Sequence, residues 1–264
     1  MHITFDGLRV LVTGSTRGIG REIASQFAAA GAAVTVHGRR EDEARARAER
    51  LRQDAPRGPV GWAAGDLATA AGCDAVLAAC PDVDILVHNA GRYEWRDFFD
   101  CDDAAWRTML ETNLLSGARL ARHHLRRMLD RGWGRIVFIA SDSGLNIPPE
   151  MVHYGVSKAA ELALMRGLAE CTAGTAVTVN AVLPGPTRTG AEEAFFDAHA
   201  VRAGVPREQA EAHFIASARP TSLLRRMAGA EEVAAMVLYA ASRQASATNG
   251  AALRAEGGIL RHVG

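Results

Sequence analysis

A tyrosine, a lysine and a serine have the types and spacing needed to move a proton at a substrate oxygen. Tyr154 and Lys158 are four positions apart, so in a helix they share one face, one turn apart. A phenol with a pKa near ~10 exchanges protons poorly at neutral pH, and a nearby ammonium lowers that pKa. Ser141 precedes Tyr154 by thirteen residues and could hydrogen-bond the same oxygen. These groups could reduce a carbonyl or oxidise an alcohol beside a hydride carrier.

A glycine-rich loop near the N-terminus could hold that carrier, whereas a tyrosine–lysine pair alone also fits an ordinary amphipathic helix. Residues Thr13–Gly20 lie between an apolar run and a helical pattern. Their glycines permit a tight turn and a close approach of a pyrophosphate to the helix N-terminus. The same letters could form a bare turn, but the position between strand and helix favours a dinucleotide site.

The end of the second predicted strand indicates which dinucleotide binds. NAD sites usually carry an acid there, which binds the ribose 2′-hydroxyl. Here the sequence reads His37, Gly38, Arg39 and Arg40, with no acid. Arg39 could bind a 2′-phosphate in a forked contact, and Arg17 in the glycine loop could approach the same group. We therefore predict NADP(H) in preference to NAD(H), the alternative being that both are solvated surface arginines.

Strand and helix patterns alternate along the chain. Apolar runs predict strands at Leu8–Thr13, Ala33–His37, Val60–Asp66, Asp84–His88, Arg135–Ala140, Ala176–Leu183 and Ala251–Ala255. Helices are predicted at Gly18–Ala30, Glu41–Asp54, Ala70–Cys80, Asp103–Arg131 with a break near Thr112–Asn113, Val152–Cys171 and Glu231–Ala241. This order predicts an α/β fold of the Rossmann type, a doubly wound parallel sheet forming a single domain over residues 1–264. Residues 190–219 interrupt the alternation and are predicted to form a small helical lid.

Composition excludes several other classes of protein. Lysine plus arginine and aspartate plus glutamate both number 30, so no net charge attracts nucleic acid or an anionic membrane. The four cysteines lack the spacing of metal ligands, and we expect no metal. No signal peptide precedes the first strand, and no apolar run approaches the ~18 residues of a membrane span. A cytoplasmic protein is expected.

Together these motifs resemble the short-chain dehydrogenase/reductase family, in its single-domain form. The resemblance covers about residues 6–259 and also includes Asn180. It implies a catalytic set of Asn113, Ser141, Tyr154 and Lys158, with Asn113 holding a water that relays protons to Lys158. Ser143 could compete for the serine role, but the step from Ser141 to Tyr154 is the usual one. The resemblance also implies a homotetramer, formed through the helices that contain Asn113 and Tyr154.

The glycine loop and the resemblance together assign the cofactor contacts. These are Gly14, Ser15, Thr16, Arg17, Gly18, Ile19, Gly20, Gly38, Arg39, Asp66, Leu67, Asn89, Ala90, Gly91, Tyr154, Lys158, Pro184, Gly185, Thr187 and Thr189. Asp66 and the backbone of Leu67 would hold the adenine. Pro184–Thr189 would pack on the nicotinamide.

The sequence says less about the substrate. Candidate contacts are Tyr93, Trp95, Asp142, Met151 and Phe195, which suggest a small or medium, partly apolar molecule. One alternative is a 3-oxoacyl-(acyl-carrier-protein) reductase, because the basic segment Arg122–Arg131 could dock an acidic carrier. Another is a non-catalytic regulator that binds NADPH.

Overall fold

A parallel sheet forms the centre of the protein. The computed structural model describes residues 3–54, 57–190 and 192–263. Within these ranges the strands are β1 (Arg9–Val12), β2 (Ala33–Gly38), β3 (Val60–Ala64), β4 (Ile85–His88), β5 (Trp133–Ile139), β6 (Ala176–Pro184), β7 (Thr187–Arg188), β8 (Ala228–Gly229) and β9 (Ala252–Ala255). Seven of them form one sheet in the order β3-β2-β1-β4-β5-β6-β9, with every neighbouring pair parallel.

Helices cover both faces of this sheet. They are α1 (Gly18–Ala29), α2 (Glu41–Asp54), α3 (Ala70–Ala79), α4 (Asp103–Leu110), α5 (Ser116–Arg131), α6 (Val152–Glu170), α7 (Glu193–Ala203), α8 (Ala210–Ala218) and α9 (Ala230–Ala241). One apolar core lies between the sheet and α1, α2 and α9, where Phe27, Leu51 and Val237 are buried. A second lies on the opposite face, where α3, α5 and α6 bury Val76 and Leu120. Because both faces are covered, the strands are continuously apolar.

The architecture confirms the predicted fold class, a doubly wound parallel sheet of the Rossmann type. The strand order reverses between β1 and β4, and in such sheets ligands bind in the crevice at the carboxyl ends of the strands. The predicted break in the long helix is a π-helical turn at Glu111–Leu115, which separates α4 from α5. The short parallel pair of β7 and β8 was not predicted, since two-residue strands carry no readable period.

The segment predicted as a lid forms two helices with an apolar core of their own. Helices α7 and α8 bury Phe196, Phe214 and Ile215 against Met227, apart from the two cores on the sheet. Residue 191 lies outside the described residues. Whether this helical pair opens and closes stays a prediction. In the described part of the chain, no helix combines the length and apolar character needed to cross a bilayer.

Candidate active site

The glycine loop leads from β1 into α1 through backbone angles that favour glycine. Gly14 and Gly18 have φ values of +61° and +62°. A Cβ on Gly14 would also lie 3.0 Å from the Cα of Ala90, so a larger residue has no room. No side chain of the described residues caps the N-terminus of α1 at Arg17. The exposed N–H groups and the positive end of the helix dipole suit an anionic pyrophosphate, so the loop fits a dinucleotide cofactor.

Two polar side chains fix this loop from the neighbouring strand end. The Thr13 hydroxyl accepts hydrogen bonds from the backbone N–H groups of Asn89 and Ala90, both at 2.9 Å. In return, the Asn89 amide nitrogen donates to the carbonyls of Thr13 at 2.9 Å and Gly14 at 3.1 Å. The predicted cofactor residues at the ends of β1 and β4 therefore form one hydrogen-bonded unit.

His37 is a second brace, which the sequence reasoning missed. The backbone N–H of Gly14 donates to its Nδ1 at 2.9 Å, and its Nε2 lies 3.1 Å from the Gly65 carbonyl. Burial lowers the pKa of His37 to about 4, so the ring is neutral at physiological pH and Nδ1 can accept. The Ser15 hydroxyl donates to the Val12 carbonyl at 2.7 Å and accepts from the His37 N–H at 2.9 Å. The buried Ser15 side chain thus connects the glycine loop to β1 and β2.

Two arginines are exposed where the sequence predicts contacts with a 2′-phosphate. Arg17 and Arg39 are solvent-exposed, and neither has an ion-pair partner among the described residues. Arg40, by contrast, pairs with Asp42 and lies 3.7 Å from Glu43. The guanidinium groups of Arg17 and Arg39 are therefore available to an incoming anion.

Three of the four predicted catalytic residues meet the candidate substrate residues in one cleft of about 390 Å³. Ser141, Tyr154 and Lys158 lie on its floor, at the carboxyl end of β5 and the start of α6. All five candidate substrate residues line it, and so do several predicted cofactor residues: Ile19, Asn89, Gly91, Pro184, Gly185, Thr187 and Thr189. The remaining cofactor candidates lie in or beside the loops that follow β1, β2, β3 and β4.

Tyr154 keeps its proton more firmly than the sequence suggests. Burial has the largest effect on the pKa of Tyr154 and raises it, whereas the Lys158 ammonium and the nearby Ser141 side chain lower it. The negative charges of Asp142 and Glu161 add to the effect of burial, so the pKa stands above its usual value. The Ser141 hydroxyl accepts from the Ser143 N–H at 3.1 Å and donates to Asp142 Oδ1 at 3.0 Å. The phenol of Tyr154 is therefore protonated at neutral pH.

Lys158 is held by two inward contacts. Its Nζ donates to the Ile139 carbonyl and to Glu161 Oε2, both at 2.8 Å. Burial lowers the pKa of Lys158, but Glu161 and Tyr154 more than offset this, and the net shift is upward. The lysine therefore stays charged. Sequence reasoning missed Glu161, which at this spacing resembles a surface ion pair on a helix.

Asn113 lies behind the cleft, in the π-helical turn. Its side-chain oxygen accepts from the Arg92 N–H at 2.7 Å, and its amide nitrogen donates to the Arg92 carbonyl at 2.9 Å and to the Ser157 hydroxyl at 2.8 Å. The buried amide thus clamps the segment that follows β4. Whether it also holds a water for Lys158 stays a prediction.

The lid supplies the opposite wall of the cleft. The ring centroids of Trp95 and Phe195 are 6.3 Å apart, and those of Phe195 and Phe214 are 5.2 Å apart. Arg219, directly after α8, places Nε 3.4 Å from the Oδ2 of buried Asp142. No sequence signal pointed to Arg219. Aromatic rings dominate this wall, and the ion pair between Arg219 and Asp142 lies next to Ser141. Within the described ranges, no three His, Cys, Asp or Glu side chains are grouped to hold a metal ion.

Known proteins resemble this chain in sequence and in fold. A family model described as short chain dehydrogenase matches residues 9–200. The chain is 41% identical over 263 residues to an uncharacterized oxidoreductase, YvaG, of Bacillus subtilis (strain 168), covering 100% of both chains. It is 32% identical to the 3-oxoacyl-[acyl-carrier-protein] reductase FabG of Escherichia coli (strain K12), covering 97% of this chain and 99% of that protein. A solved L-sorbose reductase from Gluconobacter frateurii, complexed with NADPH and L-sorbose, superposes with a TM-score of 0.93 at 28% identity, covering 100% of both chains.

Proposed function

This chain belongs to the short-chain dehydrogenase family, and on that premise we propose that it is an NADP(H)-dependent oxidoreductase acting on a carbonyl or secondary alcohol. The observation that carries the proposal is the convergence of Ser141, Tyr154 and Lys158 on one cleft, which the predicted cofactor loops also border. The family match supports the reaction class. The exposed, unpaired Arg17 and Arg39 support the choice of NADP(H).

The reaction divides between the cofactor and this chain's own side chains. When bound, a nicotinamide cofactor would supply the hydride to the carbonyl carbon. Tyr154 donates its phenolic proton to the carbonyl oxygen as that oxygen gains electrons. Ser141 hydrogen-bonds the same oxygen and orients it. The charged Lys158 stabilises the phenolate that remains until a proton returns to it. In the reverse direction, Tyr154 accepts the proton of the alcohol.

We propose a small or medium, partly apolar substrate. Trp95, Met151 and Phe195 supply apolar area, while Asp142 and Arg219 supply a polar contact close to Ser141. The L-sorbose reductase was crystallised with L-sorbose, which is a ketose, so ketoses are among the substrates to test. NADP(H) preference makes reduction the expected direction.

A 3-oxoacyl-(acyl-carrier-protein) reductase is the second candidate. The match to the Escherichia coli FabG over nearly the whole chain favours it. Helix α5 also exposes Arg122, Arg126 and Arg127 toward solvent, where an acidic carrier could dock. Arg131 does not add to this patch, because it pairs with Asp82 at 2.6 Å.

The direct test is oxidation of NADPH and of NADH with simple ketones, diketones, ketoses and a 3-oxoacyl thioester. We expect turnover that is faster with NADPH and concentrated in one substrate group. Turnover only with the thioester would favour the carrier-protein alternative. Tight NADPH binding without turnover on any substrate would contradict the proposed function and favour a non-catalytic, NADPH-binding regulator.

A further inference from the structure

A chain of buried polar groups extends inward from the catalytic lysine. Glu161 Oε2 accepts from Lys158 Nζ at 2.8 Å, and Glu161 Oε1 lies 2.9 Å from His88 Nδ1. On the other side of the ring, His88 Nε2 lies 2.8 Å from the Ser116 hydroxyl, which lies 2.6 Å from the Thr112 carbonyl. We call Lys158, Glu161, His88 and Ser116 the inner network.

The inner network is shut off from solvent. Glu161, His88 and Ser116 are each 0% exposed, and Lys158 is 4% exposed. Removing a carboxylate and an ammonium from water costs several kcal/mol per ion, and apolar residues of similar volume often stabilise such a position better. Packing of the apolar core therefore gives no reason for a glutamate at this position, whereas the buried Lys158 ammonium that it faces does. Its position against Lys158 points to a task in the reaction.

The surrounding residues leave room for this arrangement and connect it to the rest of the site. A Cβ on Gly117 would lie 2.9 Å from Phe138 Cε1 and 3.1 Å from His88 Cε1, so glycine provides the space for the imidazole. The far end reaches Thr112, in the π-helical turn that also holds Asn113. The inner network thus joins Lys158 to the π-helical turn, in which Asn113 holds the segment that follows β4.

The hydrogen bonds of the inner network run in one direction at its far end. The Ser116 hydroxyl donates to the Thr112 carbonyl, so His88 Nε2 donates to the Ser116 oxygen. At the near end, Glu161 Oε1 contacts His88 Nδ1 and Glu161 Oε2 faces the Lys158 ammonium. Each oxygen of Glu161 therefore has a partner, and the side chain is held on both sides.

We propose that Glu161 is a positioning residue for the reductase reaction: it fixes the Lys158 ammonium and offsets part of the positive charge at Tyr154, so that the tyrosine keeps the proton it must donate. This inference rests on the proposed function and names a residue that supports its expected direction, reduction, for which Tyr154 must carry a proton. His88 and Ser116 hold Glu161 in place.

The charges that face these groups agree with this role. Tyr154 faces Lys158 and Glu161 on its own helix, and Asp142 beyond the end of β5. Of these, Lys158 lowers the pKa of Tyr154, whereas Asp142 and Glu161 raise it. Glu161 also raises the pKa of Lys158 against the effect of burial. Loss of the Glu161 charge would therefore release protons from both groups at lower pH.

Glu161→Gln tests this inference, because it removes the charge and keeps an amide that can hydrogen-bond. Reduction needs protonated Tyr154 and charged Lys158, so its rate falls as pH rises through either pKa. We expect the alkaline limb of the reductive kcat/KM profile to move down by roughly 1 pH unit in this variant. Glu161→Asp, which keeps the charge, should leave the limb near its wild-type position. Glu170→Gln is the matched control, since Glu170 lies on the same helix but is exposed.

A second readout avoids dependence on turnover. The phenolate absorbance of Tyr154, isolated by subtracting the titration of Tyr154→Phe, should develop at lower pH in Glu161→Gln than in the wild-type protein. If Glu161→Gln does not fold, the double variant Glu161→Leu/His88→Leu replaces the buried pair by apolar side chains and should show the same downward shifts. Profiles that superimpose on wild type, or move to higher pH, would overturn the inference. Absence of wild-type turnover would contradict the proposed function alone, because the absorbance titration would still test the role of Glu161.

Discussion

On one side of the cleft, the polar groups are buried and hydrogen-bonded to one another, whereas on the other side aromatic rings pack around a small core of their own. The first wall contains Lys158, Glu161 and the Thr13–Asn89 unit, whose contacts join strand ends to α6. In the lid wall, Arg188–Glu211 at 2.7 Å and Arg207–Asp197 at 2.7 Å are partly exposed ion pairs within one region. Such exposed pairs add little stability.

From this difference we infer that the first wall carries out the reaction and that the lid selects the substrate. A wall of satisfied, buried groups holds reacting atoms in a fixed geometry, which hydride and proton transfer require. A lid with few buried contacts to the sheet can be ordered by whatever substrate fits beneath it. We therefore expect substitutions in the first wall to affect kcat or stability, and substitutions in the lid to affect KM.

Apart from the loss of Tyr154 itself, the largest effect should follow from Ser141→Ala. The variant removes the hydroxyl that orients the substrate oxygen, so kcat should fall about 100- to 1,000-fold while NADPH affinity stays unchanged. Ser143→Ala is the control, because the Ser143 hydroxyl makes one long hydrogen bond in the described part of the chain, 3.5 Å to Asp142 Oδ1. Steady-state kinetics measure both. A greater loss in Ser143→Ala would reassign the serine role.

The stability of the protein should depend on pH through His37, which contacts the glycine loop next to the first wall. Its folded pKa of about 4 lies below its usual value, so the unfolded chain binds this proton more readily, and stability is lost as pH falls from 6.5 toward 4. We expect about 2 kcal/mol less stability at pH 5 than at pH 7.5 from this residue. Urea unfolding of His37→Gln should lack that part of the pH dependence. His123→Gln on α5 serves as control, and an unchanged dependence in His37→Gln would refute the assignment.

Arg39→Ala should change cofactor choice without changing chemistry. Loss of a charged contact to the 2′-phosphate should lower kcat/KM for NADPH about 10- to 30-fold and leave the value for NADH unaltered. Arg40→Ala should have little effect, because Arg40 pairs with Asp42. Equal losses with both cofactors would show that Arg39 does not read the 2′-phosphate.

The smallest effect is expected in the lid, from Arg219→Gln. The ion pair between Arg219 and Asp142 connects the end of α8 to the residue beside Ser141. Its loss should raise the KM for substrate roughly fivefold with little change in kcat. Arg207→Gln, on the outer side of the lid, should leave KM nearly unchanged. A fall in kcat with constant KM in Arg219→Gln would contradict the expectation that the first wall determines kcat and the lid determines KM.

The sheet and the catalytic residues at its edge could largely be predicted from the sequence, because their signals are local. Continuous apolar runs indicated the strands of the sheet, and strand ends converge at one edge in a parallel fold, which placed Ser141 beside Tyr154. The upward shift of the Tyr154 pKa was not predictable, since burial outweighs the effect of Lys158 only in the folded protein.

The contacts that escaped prediction join residues far apart in the chain. Arg219 meets Asp142 because the lid folds back over the cleft, and no periodicity encodes that return. A glutamate three positions after a lysine on a helix is typical of an exposed ion pair, yet α6 turns Glu161 toward His88 and away from water. His37 likewise gains its role from Gly14 and Gly65, which lie on other strand ends.

The central claim, that Tyr154 donates the proton in an NADPH-linked reduction, is tested most directly by Tyr154→Phe. The measurement is single-turnover oxidation of bound NADPH with the best substrate, alongside NADPH binding and with Tyr239→Phe as the matched control. Because Tyr154→Phe lacks the phenolic proton, we expect a rate loss of about 1,000-fold or more with NADPH affinity preserved. Tyr239→Phe should show near wild-type turnover. A Tyr154→Phe rate within tenfold of wild type would contradict the central claim.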